Sequence, residues 1–162
     1  YGQESKEMKE LWETIKYYDS VDLIKVITIL DKYGWLGPDV VGNNGNQTLF
    51  LVIQHSDIEI QDKYLPMMRE AVKNKKAQAS SLALLEDRVA LRHGKKQIFG
   101  SQISCDKDGC WVSPLEDPDN VDKRRAEVGL GLLADYVKNW NIKWDVVEYK
   151  KLLPEIEKKD KK

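Results

Sequence analysis

The chain has 162 residues, 41% of them hydrophobic and 33% charged, with a formal net charge of −1. That length supports one domain with a real core, and the balanced charge gives no basic footprint for nucleic acid or an anionic membrane surface. The longest apolar runs, such as Leu49 to Ile53, are too short to span a bilayer.

Along the chain, residues 4–18 place Met8, Leu11, Trp12, Ile15 and Tyr18 on one helical face. Ser20 is a candidate cap for a second helix, in which Leu23, Val26, Ile27 and Leu30 repeat the helical spacing. Gly34 ends that helix, and Trp35 supplies the apolar contact that follows a glycine C-cap. "GWLGPDVVGNNGN" reads as a loop by composition. "NQTLFLVIQH" fits a buried strand or a buried helix; Asn46 as an N-cap and the helical neighbours favour a helix. Ser56-Asp57-Ile58-Glu59 matches the S-x-x-E capping box, which opens a helix from Asp57 to about Lys73, interrupted or kinked at Pro66.

Residues 77–93 form the clearest central helix. Leu82, Leu85 and Val89 make one stripe, Leu84 and Leu91 another, and Arg88 falls between them. An arginine there either reaches out to water or meets a buried acidic partner. "QIFGSQISCDKDGCWVSPL" alternates about a turn and reads as one β-hairpin, residues 97–113. Asp117-Pro118 starts a helix carrying Val121, Arg124, Arg125 and Val128 and ending at Gly129. Leu132, Leu133, Tyr136, Val137 and Trp140 form another, and a last helix begins near Trp144. "PEIEKKDKK" has too little apolar surface to fold. The expected fold is therefore mainly α, about seven helices with one inserted β-hairpin, as a single domain over residues 1–153 and a charged disordered tail over 154–162.

Cys105 and Cys110 flank the "DKDG" turn, so hairpin pairing sets their Cβ atoms opposite each other, close enough to bridge. A disulfide there implies an oxidising compartment. With Tyr1 in place of methionine, the expectation is a periplasmic or secreted protein whose signal peptide has been removed. Two reduced cysteines in a cytoplasmic hairpin are the alternative.

Few patterns carry chemistry. His55-x-Asp57 offers at most two metal ligands, and "DKDG" fails as a calcium loop because Trp111 stands where glycine is required. There is no P-loop, Rossmann glycine pattern or G-x-S-x-G elbow. No metal or cofactor is expected. His55 is a candidate general acid or base. The chain has five arginines among its 26 basic residues. Arg88, Arg124 and Arg125 fit an anion clamp for carboxylate or phosphate, or structural ion pairs with Asp87, Asp117 or Asp122.

Four stretches share an order and spacing: "QHSD" at Gln54–Asp57, "DRV" at Asp87–Val89, "QIFGSQ" at Gln97–Gln102, and "DPDNVDKRRAEVGL" at Asp117–Leu130. Together they resemble an uncharacterised bacterial family of small proteins that reads Q-H-A-D, L-x-D-R-V, Q-x-Y-G-T-Q and D-x-x-x-V-D-x-R-R-x-x-x-G-L. The resemblance covers roughly residues 20 to 140. Its polar positions fall on Gln54, His55, Asp57, Asp87, Arg88, Gln97, Gly100, Gln102, Asp117, Asp122, Arg124 and Arg125, with Ser56, Phe99 and Ser101 replacing alanine, tyrosine and threonine. The family supplies positions and no reaction.

Two readings follow. In the first, these residues form one polar pocket that binds or hydrolyses a small anionic or amide-bearing molecule. His55 moves a proton, Asp87 or Asp117 orients it, and Arg88 with Arg124 or Arg125 holds the anion. Gln54, Asp57, Gln97 and Gln102 complete the ligand contacts. In the second, the same residues form a structural network in a non-catalytic ligand-sensing or protein-interaction module, with the working surface near Trp140 or Trp144. The sequence leaves the oligomeric state open.

Overall fold

The structure, a computed structural model, describes residues 5–160. Ser5 accepts a hydrogen bond from the Met8 amide and opens α1, Lys6–Tyr33. Neither proline nor glycine interrupts this 28-residue helix. Ser20 does not start a second helix; its hydroxyl donates to the Tyr17 carbonyl within the first, a bond compatible with continuing helix. Gly34 closes α1 at φ 71°, a left-handed conformation that suits glycine. Val26 and Leu30 are buried, whereas no residue from 6 to 20 is.

α2, Pro38–His55, takes in most of the stretch expected as loop, with the backbone turning sharply at Gly42 (φ 70°, ψ 170°). Asn46 is not its cap. It lies buried inside the helix and donates to the Leu36 and Lys76 carbonyls at 2.8 and 2.7 Å, joining two loops. α3, Ile58–Lys73, passes through Pro66 without a break. The capping box at its start does not form. Asp57 stands at the N-cap with no side-chain bond, and Ser56 Oγ donates back to the Ile53 carbonyl at 2.7 Å. α4 spans Ala79–Arg92. These four helices enclose the first core, built on Leu30, Trp35, Phe50, Ile53, Tyr64, Met68 and Leu85.

β1, Ile103–Asp106, and β2, Gly109–Val112, pair antiparallel with Cys105 opposite Cys110, and the two sulfurs are bonded. The hairpin is shorter than the sequence suggests. Residues 98–102 form a loop, and Gln97 makes only a single parallel bridge to Leu115. A 3-10 turn, Pro118–Asn120, leads into α5, Val121–Glu127; α6, Leu133–Tyr136, continues as a second 3-10 turn over Val137–Trp140. α7, Val146–Lys159, starts at Asp145, whose carboxylate accepts from the Val147 and Glu148 amides. The hairpin end and α5 to α7 enclose a second core of Val112, Leu115, Val121, Leu133, Val137, Tyr149 and Ile156. The architecture is thus mainly α, with seven α-helices and one two-stranded hairpin among the described residues.

The disordered tail expected from residue 154 is corrected as far as Lys159. Leu153 and Ile156 are one helical turn apart and pack into the second core, which keeps α7 helical past Pro154. Lys96–Glu157 and Lys159–Asp106 ion pairs add surface contacts at 2.8 and 3.0 Å. Residue 4 of the first expected helix and residues 161–162 of the tail lie outside the described residues. Because Ile156 is part of a core, Ile156→Ala is expected to lower the unfolding free energy by about 2–4 kcal/mol in urea titrations. A frayed tail would give no change.

Candidate functional site

A loop without secondary structure must satisfy its backbone polar groups by other means. At the ends of the loop over residues 97–102, the Gln97 amide and carbonyl pair with Pro114 and Glu116 and the Gln102 carbonyl accepts from Ser113, while the bonds made between those ends come from side chains. Asp87, on α4 and 1% exposed, accepts from the amides of Ile98, Phe99 and Ser101 at 2.7 to 3.2 Å. Arg124 Nε donates to the Ile98 carbonyl, and Arg125 Nη1 to the Phe99 carbonyl. The Tyr136 hydroxyl donates to the Ser101 carbonyl at 2.8 Å. Gln97 closes the loop on itself: its Oε1 accepts from the Gln102 amide, and its Nε2 donates to the Gln102 and Ser113 carbonyls. At the centre, Gly100 has φ 66°, and a Cβ there would meet the Leu133 methyls at 3.1 Å.

The two buried charges of this network, Asp87 and Arg125, are held by backbone groups. Burial pushes the Asp87 carboxyl above its usual range, against the pull of the three amides. Arg125, 2% exposed, also donates to the Gly131 carbonyl, and its guanidinium lies 5.0 Å from the centre of the Tyr136 ring. Burial lowers its proton affinity. Arg124 donates to the Glu116 and Asp117 carbonyls and pairs with the Asp117 carboxylate at 3.1 Å. Asp122 accepts from the Leu133 amide.

Arg88 is different. It sits one residue from Asp87 on α4, yet among the described residues it has no ion-pair partner, and its Nε is buried without a hydrogen bond. Its proton affinity is lowered first by burial and then by the neighbouring Arg92 cation. Helical side chains lean toward the N-terminus, so Arg88 covers the turn that contains Leu84. Two glutamines converge on that turn. Gln54 Nε2 and Gln102 Nε2 both approach the Leu84 carbonyl at 3.5 Å, the long limit of a hydrogen bond. Gln102 also donates to Ser101 Oγ at 3.0 Å. Gln54 is 3% exposed, and its Oε1 has no partner. The arrangement collects two long amide contacts, one unmet acceptor and a cation without an ion-pair partner among the described residues.

His55 turns elsewhere. It is exposed and lines a groove of about 680 Å³ between α1 and the end of α2, with Lys16, Asp19, Asp22, Leu23, Ser56 and Asp57. One residue earlier, Gln54 is buried toward α4. The structure therefore gathers Asp87, Gln97, Gln102, Arg124 and Arg125 at the loop, brings Gln54 and Gln102 to the Leu84 carbonyl one turn before Arg88, and leaves His55 and Asp57 in the α1 groove. Asp117 joins Arg124 and Asn120 at the start of the 3-10 turn. Among the described residues, no cluster of three or more His, Cys, Asp or Glu side chains is placed to hold a metal ion. Trp140 and Trp144 are half-buried, their rings 5.1 and 5.0 Å from those of Tyr136 and Tyr149.

Sequence reasoning missed three polar residues that organise these regions. Tyr136 falls at an apolar helical position in the sequence, yet its hydroxyl holds the loop. Tyr149 bridges the hairpin end, accepting from the Leu115 amide and donating to the Ser113 carbonyl. Gln61, fully buried, donates to the Gln54 and Ser56 carbonyls and locks the joint between α2 and α3. Its spacing from Tyr64, Leu65 and Met68 put a polar residue on a buried face, which was the available signal.

A family model described as a family of unknown function (DUF6624) matches residues 6–146. No curated protein and no solved structure matches the chain.

Asp87→Ala would leave three loop amides without acceptors. It is expected to lower the unfolding free energy by about 3 kcal/mol in urea titrations. A loss under about 1 kcal/mol would show that the loop holds itself.

Proposed function

The chain belongs to the DUF6624 family, whose function is unknown, and from that footing we propose that it binds a small anion, carboxylate or phosphate, at Arg88. The observation that carries this reading is the partly buried guanidinium with an unpartnered Nε and, among the described residues, no counterion. A buried cation costs free energy unless it is paired, and guanidinium suits planar or tetrahedral oxyanions. Gln102 Nε2 and Gln54 Nε2 add amide donors, and the unmet Gln54 Oε1 accepts a hydrogen-bonding N–H or O–H on the same ligand. Arg92, beside Arg88, adds positive potential while donating to the Ser56 carbonyl.

Binding is favoured over hydrolysis. Both Asp87 oxygens accept from backbone amides, which leaves Asp87 poorly placed to orient a histidine. His55 opens on the α1 groove. The network around residues 97–102 then serves as the frame that holds Gln102 against the Arg88 turn. The protein's place is an oxidising compartment, periplasmic or secreted, a reading supported by the bonded Cys105–Cys110 pair. No helix among the described residues is long and apolar enough to cross a membrane.

Thermal unfolding of the full chain with inorganic phosphate, acetate and succinate tests the site. At least one anion is expected to stabilise the fold, by about 2.7 kcal/mol once its concentration reaches roughly 100 times the dissociation constant. Arg88→Ala is expected to fold and to lose that response. No response to any of the three, or an equal response in Arg88→Ala, overturns the assignment. The compartment has its own check. Thiol alkylation of the protein in unbroken source cells should leave Cys105 and Cys110 unlabelled until a reductant is added; labelling without reductant would place it in a reducing compartment.

A further inference from the structure

A cleft of about 880 Å³ opens between the end of α4, the hairpin and the last turn of α7. Leu91, Trp111 and Pro114 supply apolar surface within it. The Trp111 ring is fixed in place. Its indole N–H donates to the Asp160 carboxylate at 3.2 Å, and the Lys159 ammonium lies 4.4 Å from the ring centre. Concave space of this size, part apolar and with a few placed polar groups, is the usual form of a small-molecule site.

The charges around the cleft are unevenly met. Lys96 pairs with Glu157 and Lys159 with Asp106, while Asp160 takes the indole. Asp108, at the hairpin turn, is the remaining acid of the lining. On the α4 wall, Arg92 and Lys95 have no ion-pair partner among the described residues. Arg92 and Arg88 stand four residues apart on α4 and so share one face. Helical side chains lean toward the N-terminus, so Arg92 covers the turn that carries Arg88. The one hydrogen bond of its guanidinium among the described residues goes to the Ser56 carbonyl, at 3.2 Å. The wall of the cleft thus runs into two neighbouring guanidiniums with no carboxylate between them. Like charges at this spacing oppose each other. A monocarboxylate neutralises one of the two. A phosphate monoester brings about two negative charges near neutrality and three acceptor oxygens.

Resting on the anion site at Arg88, we infer that the ligand is a phosphate monoester with an aromatic organic part. Its phosphoryl group bridges Arg88 and Arg92, and its ring lies in the cleft against Trp111, where the volume far exceeds one phosphate group.

Calorimetric titration of the full chain with inorganic phosphate, phenyl phosphate and benzoate tests the inference. Phenyl phosphate is expected to bind about tenfold more tightly than inorganic phosphate, from the buried ring, and about tenfold more tightly than benzoate, from the second guanidinium. Arg92→Gln is expected to remove the preference over benzoate, and Trp111→Ala the preference over inorganic phosphate. Trp111→Phe keeps a ring should the alanine variant fail to fold; it is expected to retain binding and to lose most of the tryptophan fluorescence change caused by phenyl phosphate. Equal affinity for phenyl phosphate and inorganic phosphate overturns the inference, as does a preference over benzoate that survives Arg92→Gln. In either case the Arg88 site stands by itself if Arg88→Ala still abolishes phosphate binding. No binding of any of the three probes, or binding unchanged in Arg88→Ala, overturns both.

Discussion

Six residues with almost no regular structure of their own hold the two halves of this protein in register. The loop from Gln97 to Gln102 lies between a core formed by α1 to α4 and a core formed by the hairpin and α5 to α7. Between its two ends, which pair with residues 113–116, its amides and carbonyls have no sheet or helix ladder, and unmet backbone groups are costly when buried. The first half of the molecule supplies the acceptor, Asp87. The second half supplies donors, Arg124, Arg125 and Tyr136. One loop thus reads both cores at once, and each core is positioned by how well it satisfies the same short backbone.

That demand determines what remains for a ligand. Three carboxylates near the arginines in sequence could have neutralised Arg88. Asp87 is taken by loop amides, Asp117 by Arg124 and Asn120, and Asp122 by the Leu133 amide. Neutralising Arg88 would require Asp87 or Asp122 to leave a backbone amide unmet, or Asp117 to leave Arg124 and Asn120. The isolated cation therefore follows from how the loop is held. Gln102 belongs to both arrangements: its backbone is fixed by Gln97, while its side chain extends to the Arg88 turn. The frame fixes where the amide donor stands.

Helical periodicity made much of the fold legible. The central helix, the Gly34 stop, the turn that sets Cys105 opposite Cys110 and the mainly α character all follow from local patterns. The errors share a cause. Ser20, Asn46 and Ser56 were each read as caps, because short polar residues favour helix starts. Each instead meets a nearby or distant carbonyl, and only Asn46 needs a long-range partner that local spacing cannot show. Ile156 was lost in a lysine-rich tail because its partners in the second core are contributed by distant segments. The polar residues of the candidate site were visible as types and positions. Their division into a frame and an unpaired cation was not, since that depends on which groups the loop backbone engages.

The joint between α2 and α3 shows why adjacency in sequence is a poor guide here. Consecutive helical side chains diverge by about 100°. Gln54 therefore faces α4 while His55 faces α1. Gln61 reaches back to the Gln54 and Ser56 carbonyls, and Ser56 closes on Ile53, so the joint cannot rotate to bring the histidine inward without breaking three buried hydrogen bonds. At a net value of about 1 kcal/mol each, with more for any group left unmet, that is a large fraction of the stability of a small domain. The rigid joint presents two chemically distinct faces: an amide turned to the Leu84 carbonyl of α4, and an imidazole open on the α1 groove.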